Sequence, residues 1–208
     1  AATVAQAFQS SAAEHASSVA LRTPGGGEEI TFAELNERVR RVAAGLAALG
    51  VRRGDTVAMM LINRPEFHVC DLAALHLGAV PFSVYNTSTP EQVAYLFSNA
   101  ENRVVICERQ FLDVIRGAGA PSVEHVVLVD GEEEGTVPLG DLEASGAEDF
   151  DFEATWQAVQ PDDVLTIIYT SGTTGPPKGV QLTHAGIMAE NRMVASVLPL
   201  TPGGRVTS

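Results

Sequence analysis

The densest chemistry in the chain lies in one run, Tyr169-Thr170-Ser171-Gly172-Thr173-Thr174-Gly175-Pro176-Pro177-Lys178-Gly179. Gly172, Gly175 and Gly179 let backbone N–H groups approach an anion with no Cβ in the way. The hydroxyls of Thr170, Ser171, Thr173 and Thr174 can donate to phosphate oxygens, and Lys178 adds a compact positive charge. Pro176 and Pro177 stiffen its approach. Such a donor set suits the β- and γ-phosphates of a nucleotide. It is not a Walker A loop, in which Gly-Lys followed by Ser or Thr opens directly into a helix. Lys178 follows Pro177, and Gly179-Val180-Gln181-Leu182 reads as a strand; a helix begins only at Thr183, a good N-cap, and runs through Ile187 and Val194 to Val197. The segment is therefore a strand–loop–strand hairpin, expected to be more mobile than a loop locked onto a helix end. That suits a loop closing over a nucleotide and releasing pyrophosphate. A dinucleotide oxidoreductase is excluded, because no Gly-x-Gly-x-x-Gly stands between a strand and a helix.

The elements that must position this loop follow a β/α rhythm. Val4 to His15 carries Val4, Ala5, Phe8 and Ala12 on one helical face, and two short strands, Val19 to Arg22 and Ile30 to Phe32, flank the glycine turn Gly25-Gly26-Gly27. Thr31 and Glu34 make a capping box for a helix with Leu35, Val39, Val42 and Leu46 as its apolar stripe, closed by Gly50. Thr56 to Leu61 reads as a buried strand, Pro65 opens a helix carrying Phe67, Leu72, Leu75 and Leu77 that ends at Gly78, and Val80 to Val84 is a strand. Thr89, Pro90 and Gln92 start a helix through Val93, Leu96 and Phe97. Arg103 to Cys107 and His125 to Val129 are strands around a helix at Phe111 to Arg116. Asp130 to Gln160 is the least regular segment and reads as a surface excursion. Val164 to Tyr169 is one more buried strand, leading into the loop. Continuous Val, Ile and Leu strands separated by helices predict an α/β fold, a mostly parallel sheet flanked by helices on both faces.

Composition narrows the function. A net charge of −13 over 208 residues argues against nucleic acid as a partner. Gly117 to Pro177 holds no Lys or Arg, while Glu132, Glu133, Glu134, Asp141, Glu143, Glu148, Asp149, Asp151, Glu153, Asp162 and Asp163 fall inside it. A solvated acidic surface is the plain reading, although Leu139, Leu142, Phe150, Phe152 and Trp156 interleave the acids and suggest packing. Cys70 and Cys107 are too few and too isolated for a disulfide framework or zinc site and read as small buried side chains. With no signal peptide and no run of 18 apolar residues, the expected location is cytoplasmic, a peripheral membrane contact staying compatible with it.

The run Tyr169 to Gly179, with Val180, Leu182, Thr183 and His184 after it, resembles the signature of the adenylate-forming superfamily, which includes acyl-CoA synthetases, peptide-synthetase adenylation domains and beetle luciferases. Ile30-Thr31-Phe32-Ala33-Glu34-Leu35-Asn36, Gly54-Asp55-Thr56-Val57-Ala58 and Gly78-Ala79-Val80-Pro81 extend the resemblance over nearly the whole chain. It implies an ATP-dependent ligation: a carboxylate attacks the α-phosphorus of ATP, and a thiol, usually of coenzyme A, then displaces AMP. It also implies that Thr170, Ser171, Gly172, Thr173, Thr174, Gly175 and Lys178 bind the nucleotide. Ser171, Thr173, Thr174 and Lys178 would hold the β- and γ-phosphates, with Thr174 near Mg²⁺. One departure is Gly186 where the family often has Asn, expected to affect the local helix start; His184 is expected to be structural, with lining of the substrate tunnel as the alternative.

Residues Pro81 to Thr87 and Pro90 to Tyr95 are similar to bacterial long-chain fatty acyl-CoA synthetases, which implies a fatty acid as substrate. An acyl-AMP ligase or carrier-protein adenylation domain is the near alternative. A non-catalytic phosphate-binding or interaction module is the alternative from another class. The family's adenine segment, ribose-binding Asp and carboxy-terminal domain with its catalytic lysine are not within these residues. The expectation is therefore a partial amino-terminal (adenylation) domain over residues 1–208, with no catalytic residue of its own, weak ATP binding, and self-association through an open sheet edge.

Overall fold

The computed structural model describes residues 1–25, 27–170 and 175–197. Its centre is a five-stranded sheet of β3 (Thr56–Met60), β4 (Val80–Ser83), β5 (Val104–Cys107), β6 (His125–Leu128) and β7 (Val137–Pro138), in the order β4-β3-β5-β6-β7 with every pairing parallel. Side chains alternate across it. Val57, Met59, Val104, Ile106 and Val127 pack to one face, under α2 (Phe32–Ala48) and α3 (Pro65–His76). Ala58, Met60, Val105, Cys107 and Leu128 pack to the other, under α4 (Pro90–Ala100) and α5 (Leu112–Ala118). Burial on both faces is why the strands carry near-continuous apolar runs. The fold is the expected α/β sandwich. Cys70 and Cys107 are fully buried, and burial pushes both thiols up to about 12, so they are inert core side chains.

Helix starts follow their local signals. Thr31 Oγ1 accepts from Glu34 N–H at 3.2 Å and the Glu34 carboxylate accepts from Thr31 N–H at 2.8 Å. Thr89 and Gln92 repeat the reciprocal pair at α4. On α3 the expected stripe is corrected. Its buried residues are Val69, Cys70, Ala73, Ala74, Leu75 and His76, while Phe67 and Leu72 are half-buried. This helix is enclosed by α2, β4 and α1 (Val4–Glu14), so small side chains on several sides matter more than one large stripe.

The segment from Asp130 to Gln160 is not a surface excursion. It supplies the fifth strand, then α6 (Leu139–Ala144) and α7 (Phe152–Gln157), and it buries Leu139, Leu142, Phe152 and Val159. Several of its acids pair with arginines outside the segment. The two oxygens of Glu143 take the guanidinium groups of Arg38 and Arg41, each at 3.0 Å, and Glu143 keeps only 14% side-chain exposure. Helix α6 lies so close to α2 that a Cβ on Gly45 would stand 2.1 Å from the Leu142 carbonyl oxygen.

The amino terminus is tied in by polar contacts with no counterpart in the sequence reading. Gln9 Nε2 donates to Asn36 Oδ1 at 2.8 Å and to His76 Nε2 at 2.9 Å. A Gln amide nitrogen only donates, so His76 is the tautomer whose Nδ1–H donates to the Leu72 carbonyl, at 2.7 Å. Its ring stacks on Phe152 at 5.3 Å and meets the edge of Phe8 at 5.4 Å. A second short antiparallel pair, β1 (Val19–Arg22) and β2 (Glu29–Thr31), precedes α2.

Two outcomes test this packing. Gly45→Ala in an uncrowded helix would stabilise by up to about 1 kcal/mol. Here the obstruction is backbone, so the substitution should destabilise by about 1–3 kcal/mol in urea unfolding; a gain would restore the surface-excursion reading. Burial pushes His76 down to about 4, below its ordinary 6.5. The unfolded chain then binds the extra proton first, so stability is full above about pH 6.5 and declines as pH falls towards 4. Urea midpoints should fall over that window, and less steeply in His76→Gln; equal slopes in both proteins would contradict the assignment.

Candidate functional site

The Gly/Thr-rich loop joins β8 (Val164–Thr170) to β9 (Lys178–Thr183), an antiparallel pair in which Thr170 faces Lys178, Tyr169 faces Gly179 and Ile168 faces Val180. Directly opposed residues share a face of the ladder. The register therefore sets Thr170 and Lys178 opposite each other on one face at the mouth of the loop, both exposed. Gly175 is also exposed, at φ 123°. Lys178 is the chain's sole lysine. Ser171, Gly172, Thr173 and Thr174 lie outside the described residues. Thr170 and Lys178 are the expected site residues that the structure pairs, and Gly175 precedes Lys178 by three positions.

The strand leading into the loop is corrected from buried to half-buried: Leu165 and Tyr169 are buried, but Ile168 keeps 47% exposure. Among the described residues the hairpin shares no ladder with the five-stranded sheet. The reason is visible at β4, the edge strand beside it. Thr166 Oγ1 donates to the Pro81 carbonyl at 2.8 Å, so Pro81 turns its carbonyl towards β8. In a strand the N–H and C=O of one residue point the same way, and proline has no N–H to offer there. Side chains dock the hairpin instead.

Helix α4 provides two of those contacts. Tyr169 O–H donates to Asn99 Oδ1 at 2.9 Å, while its ring meets Phe82 edge-on at 5.7 Å. The same ring crosses Gly179, where a Cβ would stand 3.3 Å from it and 2.9 Å from Ile167 Cγ2. One turn earlier on α4, Tyr95 O–H donates to the Pro177 carbonyl at 3.0 Å. Burial first, and the neighbouring Tyr95 second, push the Tyr169 phenol above its ordinary pKa, which keeps it a donor at neutral pH. Tyr95 and Asn99 escape sequence reading because their partners lie 82 and 70 residues away. Their i, i+4 spacing on a helix that otherwise buries Val93, Leu96 and Phe97 is the signal that marks them.

The far end of the hairpin is fixed electrostatically. Arg53 forks onto Asp163 at 2.8 and 2.7 Å, and Gln160 N–H donates to the same carboxylate at 2.9 Å. Partial burial alone would raise Asp163, but the Arg53 fork and the Gln160 N–H hold it below the usual carboxylate range. Thr183 Oγ1 accepts from Gly186 N–H at 3.1 Å and so caps α8 (His184–Val197). His184 lies at the start of α8. It is fully buried, and its Nδ1 accepts from Val4 N–H at 3.2 Å, satisfying a donor at the start of α1.

Chemically, the described mouth offers a hydroxyl, a glycine backbone and a cation, a set that fits a polyphosphate. Among the described residues no group of three or more His, Cys, Asp or Glu side chains stands close enough to hold a metal ion. The described loop residues bring no carboxylate for Mg²⁺. No helix among them is long and apolar enough to cross a membrane.

Comparison with known proteins agrees with this geometry. The family model described as AMP-binding enzyme matches residues 8–207. An uncharacterized protein of Mycobacterium tuberculosis is 54% identical over 129 residues, which cover 62% of this chain and 73% of that protein. The 4-coumarate–CoA ligase 3 of Oryza sativa subsp. japonica is 40% identical over 162 residues, covering 78% of this chain and 28% of the ligase. A solved Mycobacterium tuberculosis fatty acyl CoA synthetase superposes with a TM-score of 0.82, at 26% identity over 96% of this chain and 38% of that one. The chain thus spans between a quarter and two-fifths of these ligases. With the signature loop, the sheet order and the family match in agreement, the chain belongs to the AMP-binding, adenylate-forming enzyme family.

Proposed function

We propose that this chain supplies the pyrophosphate-gripping part of an ATP-dependent, AMP-forming acid–CoA ligase, as part of its amino-terminal adenylation domain. The observation that carries this reading is the pairing of Thr170 with Lys178 across the mouth of the loop, in a hairpin held by α4. In the reaction a substrate carboxylate oxygen forms a bond to the α-phosphorus of ATP while the bond to pyrophosphate breaks. The thiol of coenzyme A then forms the thioester and AMP leaves. Lys178 and the Thr170 hydroxyl, with Ser171, Thr173 and Thr174, would hold the departing pyrophosphate and stabilise its charge. Mg²⁺, when bound, would neutralise phosphate charge beside Thr174.

For the acid we propose a long-chain fatty acid, because Tyr85-Asn86-Thr87 and the Pro90-capped helix are similar to that branch. The identity with a 4-coumarate–CoA ligase favours a second reading, an aryl acid. The two differ physically. Each methylene removed from water contributes about 0.8 kcal/mol, so a site built for a long chain discriminates strongly by length.

One assay addresses both levels: pyrophosphate exchange into ATP by a complete ligase carrying this chain, driven in turn by palmitate, 4-coumarate and acetate. Palmitate should give the fastest exchange. A maximum with 4-coumarate or acetate would overturn the fatty-acid assignment while leaving adenylation intact. Lys178→Ala should slow exchange about tenfold to a thousandfold and change unfolding by less than about 0.5 kcal/mol. An unaltered exchange rate in that variant would overturn the loop assignment.

A further inference from the structure

We propose that Tyr95 is a positioning residue for the anion site, fixing the Pro177–Lys178 peptide and through it the place of the Lys178 ammonium. The inference rests on the reading of Lys178 as a pyrophosphate ligand and adds a residue that does not touch the anion. Pro177 has its φ locked by its ring, and the peptide bond that follows is planar. The one soft backbone torsion left before Lys178 is therefore ψ of Pro177. A hydrogen bond to the Pro177 carbonyl fixes that torsion, and Tyr95 O–H makes this bond at 3.0 Å.

The donor is itself rigidly presented. Tyr95 sits in the middle of α4, whose first turn is closed by the Thr89–Gln92 capping box and whose Val93, Leu96 and Phe97 are buried. Asn99, one turn along, takes the Tyr169 hydroxyl from the opposite arm of the same hairpin. The two arms are held at separate points: Asn99 holds the incoming strand and Tyr95 the outgoing one. Without the Tyr95 bond, Lys178 would still pair with Thr170 in the ladder, but the peptide carrying it could rock about Pro177 ψ. An ammonium on four rotatable bonds then loses its place relative to the anion.

The test uses the sole lysine. In the 208-residue chain labelled with ¹⁵N-lysine, the amide of Lys178 gives the one backbone resonance, and it belongs to the peptide whose carbonyl Tyr95 binds. In the parent chain sodium pyrophosphate should shift this resonance in a saturable titration. In Tyr95→Phe the resonance should stand at a different position before any ligand is added, because hydrogen bonding at a carbonyl polarises the adjoining N–H. Its pyrophosphate dissociation constant should rise about threefold to tenfold, the worth of one neutral hydrogen bond.

An unmoved Lys178 resonance in Tyr95→Phe, with or without loss of affinity, would overturn the positioning role and leave the loop assignment standing. A parent chain whose Lys178 resonance ignores pyrophosphate would overturn the loop assignment and this inference with it. Should Tyr95→Phe fail to fold, 3-fluorotyrosine in place of Tyr95 keeps the ring and acidifies the donor. It must then shift the Lys178 resonance, and an unchanged resonance would again overturn the role.

Discussion

A proline at the edge of the parallel sheet decides how the functional hairpin is attached. Pro81 presents a carbonyl to β8 and has no N–H beside it, so a regular ladder cannot continue from β4 into the hairpin. The strand that leads into the anion loop is therefore docked by side chains. Thr166 takes the Pro81 carbonyl, Tyr169 reaches Asn99, Tyr95 reaches Pro177, and Arg53 grips Asp163 at the far end. A ladder would fix every backbone group of β8 to the core, whereas these contacts fix it at a few chosen points. The hairpin keeps a defined position without becoming part of the rigid sheet, a combination suited to the proposed role of its loop in taking up and releasing pyrophosphate.

The rest of the molecule makes that attachment possible. Helix α4 can present Tyr95 and Asn99 only because its start is capped and its apolar face is anchored on the sheet. On the other face, the acid-rich segment after β6 closes the core with Leu139, Leu142 and Phe152 and meets the arginines of α2 through Glu143. The strong net negative charge of the chain is thus partly organised inside the fold. Lys178, the sole lysine, stands exposed at the loop mouth while Arg38, Arg41, Arg53 and Arg64 are engaged in ion pairs.

Local signals were legible in the sequence and long-range ones were not. The Thr31–Glu34 and Thr89–Gln92 boxes are readable because all their partners lie within one turn. The four apolar strands β3 to β6 and the strand–loop–strand hairpin followed from composition and spacing. The packing of Asp130 to Gln160 did not, because α6 and α7 have six residues each, too few to display a helical period. Strand β8 misled for the opposite reason: Leu165, Ile167 and Ile168 read as uniformly apolar, yet Ile168 keeps nearly half its surface exposed. At the hairpin, Thr170, Gly175 and Lys178 stand out by residue type and by their resemblance to the family's signature. The contacts that hold their neighbours Pro177 and Tyr169, from Tyr95 and Asn99, span some 70 to 80 residues and become visible only when the chain is folded.

The central claim, that the hairpin is docked by side chains and not built into the sheet, is tested most directly by native-state amide hydrogen exchange. Amides of β9 and of β5 should be followed at increasing low concentrations of urea. The account predicts that ladder amides of Gly179 to Thr183 exchange through a local opening, at lower free energy and with weaker urea dependence than those of Val104 to Cys107. If both sets exchanged at one free energy with one urea dependence, the hairpin would belong to the same cooperative unit as the sheet, and the account would be contradicted.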